Sequence, residues 1–572
     1  MSTSTDRTVA GAGDVVAPRG DRLATIRRLY FYLIALVSFI AALAGLDSLL
    51  QQLTNVWLGA PALGTLYDNA YTRQVIAQSG GVLLVATPIF LLHWGYMQRR
   101  LDEPGERGAA LRKFFLYVAS AVAVGYVLVR SYGLLSELAR LALGQPLAAS
   151  DLWPSEWLHW LLMIVAAGAL QLYLHSVLIG DGDYGREVDL AGSWRRLYQA
   201  LAGLLGLGLL IQGSADIIGA VWRALSDLTA EQLVTAGGLW RYQLSDGIAL
   251  TLLGAALARV NWRRWLAITA ASPVEAISVL RRCYLYIAVV GSALATLIPL
   301  ANLVYEVLLV LFDSPSASWA GLPDRLMDSL PYVPAGLISW VWHWHVLRQE
   351  AAQFGESHEG ATVRRLYYYA VAATGLTLLW FGAVSILQAG LDWLLVVGPR
   401  EGRFWVEPLA TGLSLLAVGV PIWSVHWRTA QAQAHRSDAQ GAQERTSLPR
   451  RIYLYGVALV GALLILFYLA QVVYRLLLLL LGDPDAGLLS ATTVADVARS
   501  AIAAVLWVVH VLAIRDDTRR VAPEPQSEAV PPVEQRAALR QRIEQLEAEL
   551  ASARSALAVL EASENSNQSA AP

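Results

Sequence analysis

Cysteine and lysine are nearly absent: Cys283 and Lys113 are the only examples of each among 572 residues. One thiol excludes an internal disulfide framework and a cysteine-based metal site. It sits in an apolar stretch, where a buried, inert thiol is expected. Charge is also scarce. Only 15% of residues are charged, against roughly 25% in soluble domains, which excludes an ordinary soluble protein. A net charge of −2 gives no global attraction to nucleic acid. The chain has no Walker-type loop, no dinucleotide-binding glycine run, no Cys/His zinc spacing and no Gly-x-Ser-x-Gly elbow. These gaps point away from an enzyme and from any bound cofactor or metal. Residues 1–22 contain no apolar core, so they read as a disordered leader and not as a cleavable signal peptide.

What is abundant is apolar: 56% of residues are hydrophobic and the mean hydropathy is +0.46. The apolar runs recur in a pattern. A basic pair followed by tyrosine-rich positions opens each copy, at Arg27-Arg28, Arg112-Lys113, Arg195-Arg196, Arg281-Arg282, Arg364-Arg365 and Arg450-Arg451. Successive starts lie 85, 83, 86, 83 and 86 residues apart. A closing mark follows each start by 60 to 66 residues: His93-Trp94, His175, Asn261-Trp262, His343-Trp344, His426-Trp427 and His510. Between the marks lie two long apolar stretches and a short break rich in Gly, Pro and Asp. Backbone groups in lipid must be satisfied within the segment, so the stretches are helices. The expected fold is therefore all-α and polytopic, with about twelve spans arranged as six two-helix hairpins.

The copies occupy 23–104, 105–186, 187–268, 269–352, 353–436 and 437–520. Arginine clusters between copies and is sparse in the breaks inside them. The positive-inside rule then puts the between-copy loops and both termini in the cytoplasm of a bacterial cell membrane. Every copy enters and leaves on one side, so the repeats are parallel and an inverted-repeat transporter fold is disfavoured.

Arg-Arg-Leu-Tyr-x-Tyr starts and Trp-x-x-His-Trp endings, clearest at Trp340–Trp344 and Trp423–Trp427, resemble a bacterial membrane family catalogued as domain of unknown function 5671. The resemblance runs from residue 22 to about 515 and implies about six tandem copies of a helical membrane unit, with no stated activity.

Two sets of residues could carry function. Antiparallel helices bring each basic start and each histidine end to one depth. That gathers Arg27, Arg28, His93, Arg281, Arg282, His343, Arg364, Arg365, His426, Arg450, Arg451 and His510 at one face. The plain reading is an interfacial belt; the functional one is a site for anionic headgroups or phosphate. The second set is membrane-embedded: Arg130, Asp216, Asp246 and Asp328. Arg325, three residues before Asp328, is its expected local partner, and Arg499 is that of Asp496.

The tail changes character. Residues 521–533 read as a Pro-rich linker. In 534–562, Leu539, Ile543, Leu546, Leu550, Leu557 and Leu560 recur at spacings of a heptad seam. With Ile543 at position a, Arg542 would face Glu547 of a parallel partner and Glu549 would face Arg554. Residues 563–572 read as a disordered end. The expected function is a structural or lipid-organising membrane protein that contacts membrane lipids and self-associates through 534–562. A transporter or channel with a path between hairpins is the alternative.

Overall fold

The computed structural model describes residues 19–58, 69–145, 153–187, 189–229, 239–395, 403–483, 490–520, 539–552 and 554–555. The expected breaks at 59–64 and 398–402, the 521–533 linker, Leu557 and Leu560 lie outside them.

The described residues are helical, without strands. The order is α1 (Arg19–Leu58), α2 (Asn69–Gln98), α3 (Ala110–Ala142), α4 (Trp153–Gly180), α5 (Asp189–Thr229), α6 (Leu239–Ala271), α7 (Pro273–Ala276), α8 (Val279–Leu311), α9 (Leu322–Leu326), α10 (Tyr332–Phe354), α11 (His358–Leu395), α12 (Val406–Ala434), α13 (Ala439–Thr446), α14 (Leu448–Leu480) and α15 (Ala491–Arg520). The short α7, α9 and α13 lie in connections and escaped the sequence pattern.

Ten of the twelve long helices are long and apolar enough to cross a membrane. The two below that mark are α6 and α10. Arg241, Asp246, Arg259, Arg263 and Arg264 lie within α6. The 23 residues of α10 include His343, His345 and three tryptophans. The composition of these two helices, not their length alone, separates them from the others.

The most extensive packing joins α1 to α2, α3 to α4, α5 to α6, α8 to α10, α11 to α12 and α14 to α15. Glycine permits the closest approaches. A Cβ on Gly213 would lie 2.5 Å from the Thr251 backbone nitrogen, and one on Gly254 would lie 2.5 Å from that of Leu210. Gly375 and Gly382 play the same part opposite Trp423 and Gly412 in the α11–α12 pair. Without a water-driven hydrophobic force between helices in lipid, small residues that let backbones meet supply the packing. Pairs also pack on one another: α3 lies against α5 and α6, and α8 lies against α11 and α12.

Candidate functional site

The basic starts and the connections between pairs form one charged layer. Arg28 donates from Nε to Glu106 at 2.7 Å, and Tyr32 donates to the same carboxylate at 3.3 Å. Arg112 grips Asp181 with Nε and Nη2, and Lys113 reaches Asp181 at 3.0 Å and Asp183 at 2.5 Å. Arg195 bridges Glu187 and Glu275, both at 2.8 Å, while Arg196 holds Glu275 with two donors. Arg281 binds Glu350, with Nε at 3.0 Å. Arg282 donates to the Gly355 carbonyl oxygen at 3.0 Å. Gly355 itself ends α10 at φ 72°, a left-handed conformation that favours glycine. Arg364 binds Glu356 at 3.0 Å and Arg365 binds Glu444 at 2.7 Å, where Tyr369 also donates. Arg450 holds Asp517 and also reaches Tyr369 and Gln431.

Among the basic starts, Arg27, Arg28, Arg281, Arg364, Arg365 and Arg450 thus pair with carboxylates, whereas Arg282 donates to a backbone carbonyl oxygen. Arg112, Lys113 and Arg450 are completely buried. Arg451 is exposed. The acceptors alternate. Glu106, Glu275 and Glu444, each 169 residues from the next, accept from the second arginine of a start. Asp181 and Glu350, also 169 apart, and then Asp517 accept from the first. Sequence reading missed these acids because an acid in a polar connection looks like an ordinary solvated residue.

The histidines are helix ties. Nδ1 of His93, His343, His426 and His510 lies 2.7 to 2.8 Å from the carbonyl oxygen four residues earlier. A carbonyl only accepts, so Nδ1 carries the proton and Nε2 is left as an acceptor. Tyr367 donates to His426 Nε2 at 3.2 Å and Tyr453 to His510 Nε2 at 3.1 Å. Asn261, which replaces histidine in its copy, donates across to the Gln199 carbonyl oxygen at 2.7 Å. No group of three or more His, Cys, Asp or Glu side chains among the described residues is placed to hold a metal.

A second polar layer lies toward the other ends of the helices. Asp47 lies 19 residues beyond Arg28, a rise of about 28 Å along the helix. It accepts from Arg130 Nε at 3.1 Å and lies 2.9 Å from His159 Nε2, tying α1, α3 and α4. Asp246 pairs with Arg140 across α6 and α3 at 3.2 Å. Asp216 accepts from Gln212, whose own oxygen accepts from Tyr332. The local pairing expected at Asp328 does not form. α9 ends at Leu326, so the two residues do not share a helix face; Arg325 turns to Glu306 at 2.9 Å, and Arg223 approaches Asp328 at 3.3 Å. Asp496 does pair with Arg499, and with Arg475 as well.

Between α11, α14 and α15 lies an apolar groove of about 760 Å³, lined by residues such as Leu366, Trp380, Ile452, Val460 and Trp507.

Glu275 lies in the connection after α6, where burial raises its pKa but hydrogen bonds and charge from Arg196 and Arg195 outweigh burial. Its carboxyl is held below the usual range. A depressed native pKa gives stability that is full above the unfolded value of about 4.3 and is lost as pH falls through the native one. Wild type should thus exceed Glu275→Gln in thermal stability near neutrality, and the gap should close as pH drops below about 4. A gap that stays constant down that range in a detergent thermal melt contradicts this.

A family model described as Domain of unknown function (DUF5671) matches residues 28–169, 196–333 and 365–496. No curated protein and no solved structure matches. Three matches, each starting in the first long helix of two successive pairs and ending within the fourth, correct the expectation of about six copies. The matches open on Arg28, Arg196 and Arg365, the arginines that reach Glu106, Glu275 and Glu444. The matches thus begin at intervals of two helix pairs, in α1, α5 and α11.

Proposed function

The chain belongs to the DUF5671 family, and from that premise we propose that it is a non-catalytic membrane scaffold that organises lipids and copies of itself. On this reading each helix pair is a membrane hairpin, α6 and α10 cross as well, and twelve spans return every connection of the charged layer to the cytoplasmic side. The observation that carries the reading is the pairing of that layer's most deeply buried cations, Arg112, Lys113, Arg195 and Arg450, with internal carboxylates. Buried arginines bound to internal carboxylates lock connections to helix ends. Arg28 and Asp47 on α1, and Arg112 and Arg130 on α3, stand about 27–28 Å apart by a rise of 1.5 Å per residue, which suits fixed ends better than a conducting path.

The tail supplies self-association. Residues 539–552 are helical, and Leu539, Ile543, Leu546 and Leu550 are each about half exposed or more. An apolar seam of that kind is buried by a parallel second strand. In a Cys283→Ser background, Leu546→Cys should form an interchain disulfide on mild oxidation of membranes, whereas Ala548→Cys, on the outer face, should not. Equal cross-linking at both positions, or none at Leu546→Cys, sinks the coiled-coil assignment.

A further inference from the structure

We propose that copies of the chain also associate head to tail within the membrane, with the α1–α2 face of one copy covering the exposed α14 face of another. This goes beyond the tail association and does not rest on it.

One interface is used twice inside the chain and stands half-made at each end of the described helices. With two helix pairs to a unit, α3 of the first unit packs on α5 and α6 of the second, and α8 of the second packs on α11 and α12 of the third. α14 holds the same place in the third unit, and α1–α2 hold the place of α5–α6 in the first. The packing of α14 is instead confined largely to its own neighbours α15, α11 and α13. Burial follows this order. Among the ten apolar spans, the apolar 18-residue stretches of α14 and α2 are the least buried, at 0% and 11%, against 22–39% for the other eight.

A repeated aromatic contact marks the interface. Tyr117 of α3 meets Tyr198 of α5 with ring centroids 5.5 Å apart at 33°. Tyr286 of α8 meets Tyr367 of α11 at 4.7 Å and 31°. Tyr117, Tyr286 and Tyr455 lie 169 residues apart in turn; Tyr30 lies 168 before Tyr198, which lies 169 before Tyr367. Tyr455 and Tyr30 are thus the two halves of a third such contact. Tyr117 and Tyr286 are 4% and 8% exposed, whereas Tyr455 and Tyr30 are 58% and 54% exposed. Further along α14, Leu459 and Leu466 are 62% and 68% exposed, while Val290 and Leu297, which precede them by 169, are half-buried on α8. Contact between two different faces is heterologous, so it closes into a ring or extends as a row, unlike a two-fold dimer.

The test uses full-length chain in native membranes, with Cys283→Ser throughout. One copy carries Tyr30→Cys and a co-expressed, differently tagged copy carries Tyr455→Cys. Both sites are exposed, so unchanged thermal stability of each variant confirms its fold. A short bis-maleimide should give a band at twice the monomer mass that contains both tags and is lost when either variant is expressed alone. The band should persist when 534–562 is deleted, which separates this interface from the tail. Three results overturn the proposal: no mixed band, because lipid or another protein covers the face; a Tyr455→Cys band with itself, which indicates a symmetric interface; or an intrachain link when both cysteines share one copy, because α14 then closes on its own α1.

Discussion

Asp181→Ala should cost about 3–5 kcal/mol of stability, the usual loss when one partner of a buried ion pair is removed. The carboxylate is 2% exposed and serves two cations, Arg112 and Lys113, whose side chains are both fully buried. The charge on Arg112 cannot be dropped: a guanidinium does not deprotonate in proteins. Removing Asp181 leaves Lys113 with Asp183 and strands Arg112 below the Trp94 ring, with which it makes a cation–π contact at 5.4 Å. Asp328→Ala is the matched control, because Asp328 is 89% exposed and meets Arg223 at 3.3 Å; exposed pairs of that kind contribute about 0–1 kcal/mol. Comparing unfolding of the two variants in one detergent checks this, and similar losses in both would show that the buried layer does not lock the connections.

Gly254→Leu should separate α5 from α6. Even the first atom of a side chain would sit 2.5 Å from the Leu210 nitrogen and 2.9 Å from the Gly206 carbonyl oxygen. Both neighbours are helix backbone, which cannot rotate aside as a side chain would. Overpacking into a tight site costs about 1–3 kcal/mol, and a leucine against backbone belongs at or above the top of that range. Gly208→Leu is the contrast, since a Cβ there meets nothing within 4 Å. Folded, monodisperse yield after detergent extraction should fall sharply for Gly254→Leu and stay near wild type for Gly208→Leu. Equal yields would mean that close backbone approach does not hold this pair.

The helices and the recurring basic starts were readable in the sequence because span length and periodicity are local properties, and the family resemblance rested on the same residues. The partners were not readable. Asp47 and Arg130 are 83 residues apart and meet only because α1 and α3 pack at matched height. Nothing local to Glu106, Glu275 or Glu444 distinguishes it from a solvated loop acid. One signal was present and unused: starts spaced 85, 83, 86, 83 and 86 alternate, which already indicates a repeat of two hairpins and not one. The same period, 168 to 169 at every acceptor carboxylate but Asp517, locates the tyrosine pairs as well. Glycine contacts were not visible either, since a glycine at a helix crossing and one on an exposed face, such as Gly254 and Gly208, look alike until the neighbour is known.

On the proposed reading the assembly is parallel, with twelve crossings that return every connection of the charged layer to one side. Single cysteines in a Cys283→Ser background test it in sealed vesicles of known orientation. Asp102→Cys, Arg186→Cys, Val274→Cys, Glu359→Cys and Gln440→Cys occupy the five successive connections, and each native residue there is exposed. Ala70→Cys and Ala320→Cys are exposed positions toward the opposite ends of the helices. A membrane-impermeant maleimide should label the first five from the cytoplasmic side alone and the last two from the other side alone. Labelling of Val274→Cys or Glu359→Cys from the opposite side would show that α6 or α10 does not cross, and would contradict the account.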